Sequence, residues 1–313
     1  MKKIISYLKN FLRDDYSFTT YFIIFIFLVV SILLNYHYEI ENDIIEEQGN
    51  DTIRFFYYLM LYGVAYYSTL IIYYFTRKKN YFLNKEVMLK SFVAILILAI
   101  DGTYSFTQDF FIRNFSANVE EARYLKKVIN SIAPLIIYLI SLYIIKRKYD
   151  SETTNLYGLS PRKFDWKPYF IMLLVMLPLI FWASFQQDFT QEYPVFKYWK
   201  MRPVFGMTQE QLFSFYEIFY LLDFINVEIL FRGLLVIGMI KCMGEEAILP
   251  MVVTYAFLHF GKPPAETVGS IFGGYILGVI ALRSENILGG YMIHMGVAFL
   301  MDIFAILQLK FFK

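Results

Sequence analysis

Residues 212–240 read LFSFYEIFYLLDFINVEILFRGLLVIGMI. This stretch is mostly apolar and is longer than the roughly 20 residues that an α-helix needs to cross a hydrocarbon core of about 30 Å. It nevertheless contains Asp223, Glu228 and Arg232, and a charged side chain at the centre of a membrane helix costs about 2.5–3.5 kcal/mol on insertion scales. The stretch therefore predicts a membrane helix whose charges either pair or form a functional site.

The composition of the whole chain is unusually apolar. Hydrophobic residues make up 58% of its 313 residues and charged residues 18%, whereas soluble domains are about 45–50% apolar and about one quarter charged. These values exclude soluble, disordered and disulfide-scaffold proteins, and the long apolar runs exclude an outer-membrane barrel. We therefore predict an all-α fold, a polytopic bundle of transmembrane helices. The net charge of +2 gives no case for nucleic-acid binding, and the single Cys242 excludes an intramolecular disulfide.

Nine apolar segments along the chain predict about eight or nine spans. They are residues 19–35, 54–75, 88–105, 128–145, 168–185, 212–240, 247–260, 267–282 and 287–309. We divide the chain into N-terminal helices (1–150, about four spans), a polar cytoplasmic linker (151–167) and a C-terminal core (168–313, about five spans). Within the core, Gly269/Gly273 and Gly274/Gly278 have the GxxxG spacing that is typical of close helix packing in membranes.

The distribution of basic residues predicts the orientation in the membrane. Lys and Arg are enriched in cytoplasmic loops, and they occur before the first segment and again at Lys146, Arg147 and Lys148. We therefore expect an integral protein of a bacterial plasma membrane, with a cytoplasmic N-terminus. The first segment is too long for a signal peptide, and no small-residue cleavage site follows it, so we expect a retained anchor.

Three ionisable residues on different segments are predicted to lie at similar depth. With a rise of about 1.5 Å per residue, Glu228 and His259 lie about 20 Å above the inner boundary and His294 about 13 Å. Two histidines and a glutamate can bind zinc and leave one position for water, whose pKa the metal lowers toward 7. In a metal-free site, a carboxylate takes a proton from water while a histidine holds it or stabilises the oxyanion.

Three short motifs resemble those of a known family. Residues 227–233 (VEILFRG) resemble the EExxFRG motif of the CPBP intramembrane proteases, which include type II CAAX prenyl endopeptidases and bacteriocin self-immunity proteins. Residues 255–259 (YAFLH) resemble its FxxxH motif, and residues 294–298 (HMGVA) its Hxxx(N/D/B) motif. The resemblance implies an intramembrane endopeptidase that cleaves a membrane-associated protein or peptide. It also implies zinc, with His259, His294 and Glu228 as ligands.

The chain departs from the family at two motif positions. The first motif glutamate, which is thought to activate water, falls at Val227, and the polar residue that closes the third motif falls at Ala298. Glu228 matches the second glutamate, whose partner is Arg232. We rank Glu228 first as ligand or base. Asp223 is second, because it lies one helical turn before Val227; Asp302 lies one turn beyond Ala298 and is another possible substitute.

Two other functions stay open at this stage. One is a catalytically inactive relative that acts as a membrane adaptor or immunity protein, which the departures favour. The other is a proton-coupled transporter that uses Asp101, Asp223 and Glu228, although the sequence has no inverted repeat of the kind that transporters show. The expected partners are a membrane-associated substrate and the lipid bilayer, and the sequence leaves the oligomeric state open.

Overall fold

The computed structural model describes residues 2–103, 119–153, 155–161 and 164–311. These residues form helices and connecting turns without strands, so the predicted all-α fold is confirmed. The α-helices are α1 (Lys2–Asp15), α2 (Phe18–Tyr38), α3 (Asp51–Arg77), α4 (Lys85–Thr103), α5 (Val119–Tyr149), α6 (Lys167–Ala183), α7 (Gln187–Glu192), α8 (Gln209–Glu228), α9 (Ile240–Met243), α10 (Ile248–Phe257), α11 (Pro264–Ser284) and α12 (Leu288–Phe311).

Several helices are suited to a membrane. Among the described residues, α2, α3, α5, α11 and α12 are long and apolar enough to cross a bilayer, and α6 is apolar but shorter. Six of the nine predicted segments coincide with these helices. The protein is thus an integral membrane protein with a helical bundle, while the number of eight or nine spans stays a prediction.

The prediction of one continuous helix over residues 212–240 is wrong. The α-helix α8 ends at Glu228, and Ile229–Leu234 form a π-helix in which the backbone N–H of Leu235 donates to the carbonyl of Leu230 at 3.0 Å. Within this π-helix, Gly233 packs closely against Tyr157, and a Cβ at position 233 would lie 3.2 Å from the Cβ of Tyr157. Insertions of this kind in α-helices are frequent at functional sites, and this one carries most of the first motif.

The chain forms two compact units, each assembled from separate stretches. The first unit contains the described residues of 1–104, 140–164 and 228–288, and the second those of 105–139, 165–227 and 289–313. The predicted division into 1–150, 151–167 and 168–313 stays a prediction, and residues 168–313 contribute to both units.

Helix α10 forms the centre of the first unit. All of its residues are buried, and it packs against α3 and α11. Close approach to α11 depends on Gly274 and Gly278, where a Cβ would lie 2.9 Å from Cδ1 of Tyr255 and 2.5 Å from Cε of Met251. The GxxxG prediction is therefore confirmed for this pair. It is wrong for Gly269/Gly273, because no described atom lies within 4 Å of a Cβ built at either position.

The buried Lys90 binds the backbone of the chain that follows the first motif, at Gly238. Lys90 on α4 is 0% exposed, and its Nζ lies 2.5 Å from Glu86 and 2.8 Å from Asp150. It also donates to the carbonyl of Gly238 at 2.6 Å. Asp150 in turn accepts a hydrogen bond of 2.7 Å from the hydroxyl of Tyr157, the residue that packs against Gly233. Residue 157, from the predicted linker, is thus part of the support of the motif.

The second unit has a core built largely from the segment between α7 and α8. Its buried cluster consists of Tyr124, Val128, Phe196, Tyr198, Met201, Val204, Leu212 and Tyr216. The hydroxyl of Tyr124 donates to the carbonyl of Leu212 at 3.0 Å, which joins α5 to α8. Elsewhere in this unit, α12 approaches α6 closely, since Gly289 packs against Tyr169 and Gly296 against Leu173.

Neighbouring glycines on α11 provide a matched test of this packing. We expect Gly274→Ala to destabilise the protein by about 1–3 kcal/mol, because its methyl group overpacks the interface with the Tyr255 ring. Gly273→Ala has open space and should be neutral or stabilising by about 0.5–1 kcal/mol, since alanine is the better helix former. Thermal unfolding in one detergent measures both. A Gly274→Ala variant as stable as Gly273→Ala would contradict the packing described here.

Candidate active site

The first motif contains a fully buried ion pair. Glu228 is the last residue of α8 and Arg232 lies in the π-helix that follows it. Both are 0% exposed, and Oε1 of Glu228 lies 3.2 Å from Nη1 of Arg232. The predicted contact between these two residues is therefore present. Because an isolated charge is costly in this setting, the arginine holds the carboxylate in place.

Tyr255 connects the first motif to the second. The guanidinium of Arg232 lies over the Tyr255 ring, 4.3 Å from its centroid, a favourable cation–π arrangement. His259 lies in the turn after α10, and the ring centroids of Tyr255 and His259 are 4.6 Å apart. Glu228, Arg232, Tyr255 and His259 thus form one continuous row of contacts, here called the motif array.

The orientation of His259 is fixed by a backbone hydrogen bond. Its Nδ1 lies 2.8 Å from the carbonyl oxygen of Tyr255. Because a carbonyl only accepts, Nδ1 carries the hydrogen, and in the neutral ring the lone pair belongs to Nε2. The ring is half-buried. His259 therefore presents a defined tautomer, as a proton acceptor or a metal ligand requires.

The other predicted residues, Asp223 and His294, lie in the second unit. Asp223 accepts a hydrogen bond of 2.7 Å from the amide of Asn226, which is itself buried. His294 lies on α12, and its ring centroid is 4.5 Å from the ring centroid of Phe224, the residue after Asp223. The candidate residues therefore fall into two groups: the motif array in the first unit, and Asp223 with His294 in the second.

Sequence analysis missed a buried acid on α8. Glu217 lies close enough to Asp302 of α12 for the two carboxyl groups to interact electrostatically, and both residues are buried. Asp302, predicted as a substitute for the polar residue lost at Ala298, also accepts the backbone N–H of Val195 at 3.2 Å. Glu217 lies inside the segment 212–240, so the criterion that selected Asp223 would have found it.

The described side chains do not supply the predicted zinc ligands as a set. Among these residues, no group of three or more His, Cys, Asp or Glu side chains is arranged to hold a metal ion. Oε1 of Glu228 contacts Arg232, and Nδ1 of His259 contacts the Tyr255 carbonyl. Zinc bound by His259, His294 and Glu228 stays a prediction, which metal analysis of the purified protein would test.

The buried ion pair makes a prediction about stability. We expect Arg232→Met to cost about 3–5 kcal/mol, because it leaves the Glu228 carboxylate buried without its counter-charge. The double variant Glu228→Gln/Arg232→Met removes both charges and should recover most of this loss. Thermal unfolding in detergent measures the difference. A double variant no more stable than Arg232→Met alone would show that the two charges do not compensate each other.

Comparison with known proteins bears on the same segment. The family model described as type II CAAX prenyl endopeptidase Rce1-like matches residues 209–300. This range contains all three motifs, from Val227 to Ala298. The comparisons with curated proteins and with solved structures each give no match. Residues 209–300 of this membrane protein are thus similar to the Rce1-like family, which confirms the CPBP resemblance that the motifs predicted.

Proposed function

We propose that the protein is an intramembrane endopeptidase that hydrolyses a peptide bond in a membrane-associated protein or peptide. The family match supports a peptidase at the level of the family, and the apolar helices support action within the membrane. The observation that carries the proposal is the motif array. It joins the arginine and carboxylate of the first motif to the histidine of the second through contacts inside one unit.

The proposed reaction needs a base for water and a donor for the oxyanion. Glu228 takes a proton from water as the water oxygen bonds to the substrate carbonyl carbon. When the C–N bond breaks, this proton passes to the leaving amine. Arg232 holds the Glu228 carboxylate, His259 orients the water, and His294 stabilises the oxyanion. Asp223, held by Asn226, is the alternative base.

A second candidate function is supported by the sequence departures. Val227 and Ala298 replace the polar residues with which the family motifs begin and end, and Glu228 is already engaged by Arg232. A relative with this site and without hydrolytic activity would act as a membrane adaptor or immunity protein. Cleavage experiments separate the two candidates.

The test uses full-length protein in liposomes with two substrates, a farnesylated CAAX peptide and an unprenylated transmembrane peptide. We expect the wild type to cleave at least one of them. His259→Ala, His294→Ala and Glu228→Gln should each reduce the rate by about 10²-fold or more, the usual contribution of acid–base groups. Mass spectrometry of the products gives the cleavage site, and Asp223→Asn tests the alternative base.

His37 provides the control, because it is the third histidine and is exposed at the end of α2. His37→Ala should cleave at the wild-type rate. Equal cleavage by the wild type and by all three site variants would refute the site assignment. Wild-type protein that binds either peptide without cleaving it would support the inactive relative.

A further inference from the structure

The turn that follows His259 is held from outside its own helix. Helix α10 ends at Phe257, so the carbonyls of His259 and Phe260 lie in the turn beyond it and outside the helical hydrogen-bond pattern. In this turn the His259 carbonyl accepts a hydrogen bond from the Thr267 hydroxyl of α11. The Phe260 carbonyl accepts one from the side-chain amide of Asn35, on α2, at 2.9 Å. The backbone at and beyond His259 is therefore fixed by side chains of two other helices.

The contacts from α2 are made by two neighbouring residues near its end, Asn35 and Tyr36. Asn35 is 1% exposed. Its Nδ2 donates to the Phe260 carbonyl and its Oδ1 accepts the backbone N–H of Glu41 at 3.2 Å, so both ends of the amide are hydrogen-bonded. The Tyr36 hydroxyl lies 2.6 Å from the Lys262 carbonyl and 2.6 Å from the Thr267 hydroxyl. Tyr36 therefore contacts both the turn and the residue that binds the His259 carbonyl.

Glu41, in the segment that follows α2, packs against the same turn at Gly261. Its carboxyl carbon lies 3.3 Å from where a Cβ would be at Gly261, so any larger residue there would press against the Glu41 side chain. Glu41 is 8% exposed, its Oε2 lacks a hydrogen-bond partner, and burial raises the pKa of this carboxyl to about 8. The titratable and charged groups that face it are Glu46 of its own segment, Tyr36 of α2, Tyr58 and Tyr62 of α3, and Lys262 of the turn.

We propose that Asn35, Tyr36 and Glu41, together called the brace, are positioning residues for His259. They hold residues 259–262 through backbone contacts and so set where the His259 ring stands, while the Tyr255 carbonyl sets its rotation. The brace lies outside the matched range 209–300, so the family segment depends on the N-terminal helices for the geometry of its second motif. The inference rests on the proposed role of His259.

The first experiment tests the brace without an activity assay. Tyr36→Phe removes the hydroxyl and keeps the ring, and Tyr38→Phe is the matched control because Tyr38 is exposed on the same helix. Full-length protein in detergent is compared by hydrogen–deuterium exchange of residues 258–263 and by the rate at which diethylpyrocarbonate modifies His259. We expect Tyr36→Phe to increase both by about two- to tenfold, as loss of a hydrogen bond predicts. Values equal to those of Tyr38→Phe would overturn the proposal.

The second experiment separates positioning from simple structural support by its pH dependence. Glu41 is neutral below a pH of about 8 and would become a buried charge beside Glu46 above it. A raised pKa gives stability that is present at low pH and is lost as pH rises through that value. The melting temperature of the wild type should therefore fall as pH rises from about 4.5, the ordinary pKa of a glutamate, to about 8, and the diethylpyrocarbonate rate of the folded protein should change as pH passes through about 8. Glu41→Gln should remove this change, and its persistence in that variant would contradict the role of Glu41.

The third experiment uses the peptide that the wild type cleaves in the liposome assay. Tyr36→Phe and Asn35→Asp should lower kcat by about tenfold or more, because a displaced catalytic group slows the reaction step, and should leave KM within about twofold. A wild-type kcat in both variants refutes the brace and leaves the peptidase in place. If the wild type cleaves neither peptide, the proposed function fails, and the exchange experiment decides the brace by itself.

Discussion

Arg232 has to be neutralised where it lies, and the arrangement around the first motif follows from this requirement. A guanidinium without solvent contact costs several kcal/mol unless it is paired. Here Glu228 supplies the opposite charge and the Tyr255 ring supplies a face for the cation. The ring can take this position only because α11 has a glycine at position 274. The Glu228–Arg232 pair, the Tyr255 ring and Gly274 therefore depend on one another, and His259 contacts this group through Tyr255.

The local signals in the sequence sufficed for the helices and for part of the site. Apolar runs of membrane length predicted α2, α3, α5, α11 and α12, since the cost of unpaired backbone groups in lipid leaves helices as the main solution. The contact between Glu228 and Arg232 followed from their spacing along a helix. The break at Glu228 did not, since no local pattern in residues 212–240 marks it, and Tyr157, which packs against Gly233 in the π-helix, lies far away in the sequence.

The brace illustrates the limit of such reasoning most clearly. Asn35 and its partner Phe260 are 225 residues apart, and nothing in either local pattern relates them. From the sequence alone, an asparagine near the end of an apolar helix is predicted to lie at the membrane interface, and only the structure shows its partner carbonyl. Glu217 is a different case, because a carboxyl inside an apolar segment is visible in the sequence even though its neighbour Asp302 is not.

The supports of the motifs lie largely outside the range that resembles the family. Lys90 and Asp150 fix the chain after the first motif, and Asn35 and Tyr36 fix the turn after the second. A helix end in a membrane must satisfy its carbonyls with protein groups, because lipid offers none. The segment that contains the motifs is therefore stabilised by side chains of the helices that pack around it. Those supports lie far from the motifs in sequence and outside residues 209–300, the range that the family model matches, and they extend to α2.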